Sequence, residues 1–147
     1  MFKFLSFPFL IAGFSGILMA VQGALNSLLS QKTHLLAATL AVHVIGVIVA
    51  LLTVVAVRIP IFQYNYTSIP WYIYLGGVLS VLIIGLVAMS IPKIGMCNAT
   101  TAIIIGQVGT ALIIDHLGWL GVERLPWNPW QILGLALFAA GAKLLFD

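Results

Sequence analysis

Five apolar runs, each about as long as a bilayer's hydrocarbon core is thick, divide this chain and leave little between them. They cover residues 7–29, 35–57, 71–91, 98–117 and 130–146. A membrane-crossing helix takes roughly 20 apolar residues, so five of them use about 100 of the 147 present. The polar remainder is too small to coat a soluble surface. Charged residues make up 6% of the chain, where a soluble domain carries roughly 25%. The chain is 63% hydrophobic with a mean hydropathy of +1.21, so lipid must be the solvent for most of it. The predicted fold is all-α: a polytopic membrane protein of about five transmembrane helices, with residues 1–147 as a single five-helix transmembrane domain. The first run is too long for a signal-peptide core, lacks a convincing small-x-small cleavage site and is followed by further spans, so it reads as the first membrane helix.

The breaks between runs are legible. Gln31-Lys32-Thr33-His34 is a tight polar turn, and residues 58–70 hold two prolines with Gln63 and Asn65. Pro92-Lys93-Ile94-Gly95 joins a helix breaker, a charge and a glycine, and residues 118–129 hold Glu123, Arg124 and two prolines. Trp71, Tyr72 and Tyr74 open the third span, while Trp119, Trp127 and Trp130 bracket the last loop. Amphipathic rings at span ends are what the bilayer–water interface selects.

An odd number of spans puts the termini on opposite sides, and the Lys/Arg bias of short loops sets the orientation. Lys3, Arg58 and Arg124 fall on the N-terminal side; Lys32, Lys93 and Lys143 fall on the other. Three against three gives the insertion machinery almost no instruction. Chance in a chain with few charges is one reading. The other is dual topology, in which copies insert both ways and pair antiparallel as a ten-helix dimer, building the inverted repeat on which many transporters depend. An oppositely oriented paralogue would serve the same purpose.

Rotated at about 100° per residue, the first helix places Gly13, Gly16, Ala20, Gly23, Ala24 and Ser27 on one face. Such a small-residue stripe admits another helix backbone at close range. Ser15, Gln22 and Asn26 fall more than about 100° away by the same rotation. The two amides are neighbours, and in hydrocarbon each needs a partner, because an unsatisfied amide costs several kcal/mol. They either glue helices together or line a wet cavity. The fourth helix repeats the design, with Ala102, Gly106 and Gly109 on a small face and Thr100, Gln107 and Thr110 on another. His43 lies near the middle of the second span, where an ionisable group is a functional candidate. A single hydrogen bond to a neighbouring helix is its plain reading; proton coupling or ligand contact is the functional one.

At the end of the fourth span, Asp115 faces the negative end of the helix dipole and calls for either a partner or plain solvation. Glu123 and Arg124 read as a solvated loop pair, Lys143 as a snorkelling terminal lysine, and the lone Cys97 as a small buried hydrophobe. No His/Cys/Asp/Glu set has metal-ligand spacing, no glycine loop suits a nucleotide, and no basic cluster suits a nucleic acid. The chain reads as a non-enzyme without a cofactor, whose partners are the lipid bilayer, a small-molecule substrate and a second copy or paralogue.

The order and spacing of several motifs resemble one family: the YdcZ-type inner-membrane exporters of the drug/metabolite transporter superfamily. The resemblance rests on Gln22-x-x-x-Asn26, on Pro70-Trp71 with Gly76-Gly77, and on Pro92-Lys93-Ile94-Gly95. Gly106-Gln107 and Ile114-Asp115-His116-Leu117-Gly118 complete it. It implies a five-helix unit in the bacterial inner membrane, found as single copies, gene pairs or fused ten-helix proteins, with single copies pairing antiparallel. Small four-helix exporters of the superfamily use a glutamate in the middle of the first span. Here Gln22 and Asn26 occupy that region, so a mechanism built on that carboxylate does not carry over. The expected function is secondary export of a small polar or amphiphilic metabolite by alternating access, with Gln22, Asn26 and Gln107 lining the site and His43 beside it. A dual-topology channel and a non-transporting scaffold subunit are the alternatives.

Overall fold

The computed structural model describes residues 7–146, which leaves Lys3 of the charge count outside. Five α-helices account for most of it: α1 (Phe7–Lys32), α2 (Leu35–Val57), α3 (Leu75–Ile94), α4 (Met96–Leu117) and α5 (Pro129–Phe146). With the 3₁₀ turn Trp71–Tyr74 preceding α3, all five are long and apolar enough to cross a membrane. At 1.5 Å per residue, α1 is about 39 Å long and α5 about 27 Å, close to a hydrocarbon core of about 30 Å. A helix is the form such a segment takes in lipid, because it satisfies its backbone groups internally. The chain divides into two compact units, Met1–Lys93 and Ile94–Asp147.

In the first unit α1 and α2 form a hairpin whose helices pack on one another. The buried residues of α1 are Gly23, Asn26 and Ser27, and those of α2 are Ala38 and Thr39, all in the turns nearest the connection. Small side chains let the helices close there. The connection is shorter than the polar tetrapeptide predicts, because α1 runs on to Lys32. Thr33 ends it by directing both its N–H and its hydroxyl to the Leu29 carbonyl, at 3.0 and 2.8 Å. His34 then caps α2, its extended backbone letting Nδ1 accept the Leu36 N–H at 3.3 Å. An imidazole here takes the place of the usual Ser, Thr, Asp or Asn oxygen.

At the far end of α2, Arg58 is the C-cap in a left-handed conformation, φ 59° and ψ 41°. Its N–H reaches the Val55 carbonyl and the Ile59 N–H reaches that of Val54. Glycine is the usual residue for this cap, and an L-residue is strained there by about 1–2 kcal/mol. Three 3₁₀ turns, Ile61–Gln63, Tyr66–Ser68 and Trp71–Tyr74, carry the chain to α3, with the Tyr74 hydroxyl donating to the Tyr66 carbonyl at 3.0 Å. Pro92 does not end α3 as its breaker character suggests. The helix continues to Ile94, because a proline in the last turn removes only one hydrogen bond. The break is Gly95, at φ 83° and ψ 160°, a backbone region essentially closed to residues with a Cβ.

In the second unit α4 and α5 pack as an antiparallel hairpin. Buried Ala99 and Thr101 near the start of α4 and Ala142 near the end of α5 mark its closed end. The connecting segment is tied to the end of α4. Gly118, at φ 66°, donates to the Ile114 carbonyl at 2.8 Å; Leu125 N–H donates to that of Asp115 at 2.8 Å, and Arg124 Nε to that of His116 at 3.0 Å. A cation on the last carbonyls also suits the negative end of the helix dipole. Arg124 therefore serves the helix rather than pairing with Glu123 in solvent. The His116 ring lies against Trp127 at a centroid distance of 4.4 Å, and its Nδ1 is buried with no partner among the described residues. Cys97 is exposed rather than buried. Its apolar setting is the surface that lipid covers, not an internal core.

Replacing Arg58 with glycine is expected to raise the resistance of the purified protein to denaturant by about 1 kcal/mol, because the left-handed strain disappears. Unfolding in mixed micelles reads this directly. Equal or lower stability for Arg58→Gly would contradict the cap assignment.

Candidate functional site

The candidate site starts from the polar side chains that the apolar helices carry. Five of the ten serine and threonine hydroxyls on the five helices bond a carbonyl of their own helix. Ser15, Ser30 and Ser90 donate to the carbonyls of Ala12, Ser27 and Val87 on their own helices, at 2.7, 2.8 and 3.0 Å. Thr39 and Thr53 donate to those of Leu35 and Val49, four residues back, at 2.9 and 2.8 Å. Such local bonds remove the cost of carrying a hydroxyl into lipid.

The amides are different. Gln22 and Asn26 line one face of an open hollow of about 530 Å³, together with Ser15, Leu18, Met19, Val21 and Leu25. Every one of these residues belongs to α1. Gln22 is exposed on it, whereas Asn26 is only 7% exposed. At about 100° per residue, Asn26 sits some 60° from Gly23, so it lies at the border between the hollow and the α1–α2 seam rather than on a wholly separate face. Neither amide hydrogen-bonds another side chain among the described residues. Gln31, by contrast, donates from Nε2 to Ser27 Oγ at 3.2 Å.

The small-residue stripe of α1 divides in two. Gly23 and Ser27 are buried in the hairpin, while a Cβ at Gly13 or Gly16 would meet nothing within 4 Å. On α4 the same is true of Gly106 and Gly109. The predicted close-packing faces are thus only partly used within the chain. Gln107 lies on α4 in the second unit and is exposed.

His43 is not among the residues lining the α1 hollow. It is half-buried on α2, with Nδ1 2.7 Å from the Thr39 carbonyl oxygen and Nε2 3.1 Å from Ser80 Oγ on α3. A carbonyl only accepts, so Nδ1 carries the hydrogen and the neutral ring's Nε2 accepts from the Ser80 hydroxyl. Ser80 is the partner that sequence reasoning missed. Its signal was a hydroxyl near the middle of the apolar third span, easily passed over because serine so often bonds its own helix, as Ser90 of the same span does. Among the described residues no group of three or more His, Cys, Asp or Glu side chains is placed to hold a metal.

The sequence profile of the family described as "Putative inner membrane exporter, YdcZ" matches residues 7–144. No curated protein and no solved structure matches the chain at a stringent threshold. The profile covers the first four spans and α5 as far as Leu144, and includes the positions Gln22, Gly95, Gln107 and Asp115. It describes a family of exporters rather than of enzymes. The chain belongs to this family of YdcZ-type inner membrane exporters.

Proposed function

We propose that the chain is a secondary transporter that exports a small polar or amphiphilic metabolite across the bacterial inner membrane by alternating access, working as an antiparallel dimer. Residues 1–147 act as one five-helix transmembrane domain, and Gln22, Asn26, Gln107 and His43 supply the polar groups that meet the substrate. The observation that carries this reading is the open α1 hollow, where amide side chains stand on one face of an apolar helix that supplies every lining residue. An exposed Gln22 facing only hydrocarbon would cost several kcal/mol. A second copy brought against α1 would close the hollow and give a substrate a protected polar site. The open notches at Gly13 and Gly16 lie on a different face of α1 and offer a separate place for close helix approach. The even distribution of Lys and Arg supports insertion in both orientations.

Three outcomes follow. Reporters fused to the C-terminus are expected on both sides of the membrane. Arg58→Gly, which leaves two positive charges against three, should shift that ratio towards the orientation with the richer side in the cytoplasm. A uniquely oriented wild-type chain, with no oppositely oriented partner, would contradict the antiparallel homodimer.

A Cβ at Gly16 meets no atom of the described residues within 4 Å. Gly16→Leu should therefore leave helicity and monomer yield unchanged while lowering the dimer fraction in lipid at least several-fold. An unaltered dimer fraction would place this face against lipid.

Thermal-shift screening of metabolites on the purified protein identifies a ligand, and liposome flux of that ligand tests transport. Gln22→Ala and Gln107→Ala should each reduce flux more than tenfold with folded yield nearly intact. Membrane amide bonds average about 0.6 kcal/mol in stability, whereas an unpaired polar group in a binding site loses orders of magnitude in discrimination. Full flux in both variants would remove these residues from the site, and single-channel currents in place of saturable flux would overturn the transporter reading.

A further inference from the structure

Among the described residues, His43 is the titratable side chain placed deepest within a span. Lys32 closes α1, Arg58 caps α2, Lys93 lies in the last turn of α3, Asp115 and His116 end α4, and Lys143 is in the last turn of α5. The groups on the elements around His43 all sit towards helix ends. α1 brings Lys32, α2 has His34 and Arg58 as its caps, and α3 has Lys93 at its end with Tyr72 and Tyr74 ahead of its start. His34 is nine residues from His43, about 13 Å along the helix.

Those two bonds differ in kind. The Thr39 carbonyl fixes the hydrogen on Nδ1 and turns Nε2 towards α3. The bond from Nε2 to Ser80 is the side-chain hydrogen bond that joins two spans among the described residues. Its serine has a ready alternative. Ser15, Ser30 and Ser90 bond the carbonyl three residues back on their own helices, and the equivalent acceptor for Ser80 is Gly77, with Gly76 one residue further. Rotation about χ1 carries the hydroxyl from the ring to its own helix. Histidine is the side chain whose ordinary charge change falls between about pH 5 and 8, and an ionisable group at this depth is a proton-relay candidate.

We infer that His43 is the proton-binding site that drives export, with Ser80 as the latch that reads its protonation state. The inference rests on the transporter reading above and names its coupling ion. A proton taken from water on one side bonds to the Nε2 lone pair. The ring then donates from both nitrogens, so the Ser80 hydroxyl no longer donates to it and turns to Gly77 or Gly76. The α2–α3 bond is then reversed, with Nε2–H donating to Ser80 Oγ, and the two helices respond to this exchange of donor and acceptor. Loss of the proton to water on the other side restores the neutral ring and the original bond. One proton enters and one leaves, with no redox or covalent step. Ser80 acts through His43 and is a positioning residue.

The test uses full-length protein in lipid nanodiscs, with ¹⁵N-labelled histidine and the proton as the probe. His43→Gln assigns the His43 signals among the three histidines. A cysteine introduced by Ser15→Cys, with Cys97→Ser, reports access to the α1 hollow by its rate of maleimide labelling. The proposal requires the His43 ring to pass from the Nδ1–H tautomer to the doubly protonated form as the pH is lowered. After correction for thiol ionisation with a free-thiol standard, labelling should change severalfold with the same midpoint. His43→Gln should make the corrected rate independent of pH. Ser80→Ala should leave His43 titrating with a displaced midpoint and a flattened labelling response, and it covers the case in which His43→Gln fails to fold. A His43 ring that keeps one tautomer throughout, or a corrected labelling response that survives in His43→Gln, overturns the proposal. Metabolite flux with an unchanged pH profile in His43→Gln overturns the proton site and leaves the transporter reading standing. Titration with pH-dependent access but no flux of any bound metabolite overturns the transporter reading and leaves the proton site.

Discussion

In hydrocarbon no water completes an unmet hydrogen bond, and this one constraint organises the molecule. It makes each apolar run a helix, because only a helix satisfies the backbone of an isolated span. It folds half of the helical serine and threonine hydroxyls back onto their own helices, as Ser15, Ser30, Thr39, Thr53 and Ser90 show. It also decides where helices meet. Among the described residues the buried apolar side chains are Ala38, Ala88, Ala99 and Ala142, while leucines, isoleucines and phenylalanines point outward. Lipid is as apolar as leucine, so burying large side chains gains little, and contact falls to small residues that let backbones approach.

The same constraint makes the exceptions informative. Gln22 and Asn26 cannot be absorbed by their own helix as a hydroxyl can, since their amides each bring two donors and an acceptor. On α1 they border a hollow that no other span walls off among the described residues. In the proposed dimer the second copy supplies that wall. The His43–Ser80 pair is the opposite case, a polar contact already closed between α2 and α3, to which the proposal above gives a second bonding pattern. One feature is incomplete and the other is bistable, which are the two properties a carrier that binds and then switches has to combine.

Hydropathy and length were enough to locate all five spans, because transfer into lipid depends on residue type more than on tertiary context. The ends were less legible. Pro92 looked like the stop of α3, but what ends a helix is a backbone conformation, and Gly95 supplies it two residues after Lys93. The left-handed cap at Arg58 and the imidazole cap at His34 leave no periodicity to read. Arg124 seemed a loop charge because its partner is a backbone carbonyl, invisible in a list of side chains. For the candidate site, the shared face of Ser15, Gln22 and Asn26 followed from helical spacing, and His43 stood out as a mid-span ionisable group. Asn26 at the edge of the hairpin seam and Ser80 opposite His43 depend on how helices rotate against each other, which no single helix encodes.

The central claim is that the hollow on α1 is completed by a second copy inserted the other way up. The lone native cysteine, Cys97, lies exposed at the start of α4 and accepts a spin label without any substitution. Dipolar spectroscopy on the labelled protein in lipid measures the separation of the two labels in a dimer. An antiparallel pair places them near opposite faces of the membrane, so the account predicts a distance of about 30 Å or more, the thickness of the hydrocarbon core, abolished by dilution with unlabelled chain. A coupling that reports a much shorter separation, or none at all at any protein-to-lipid ratio, would contradict it.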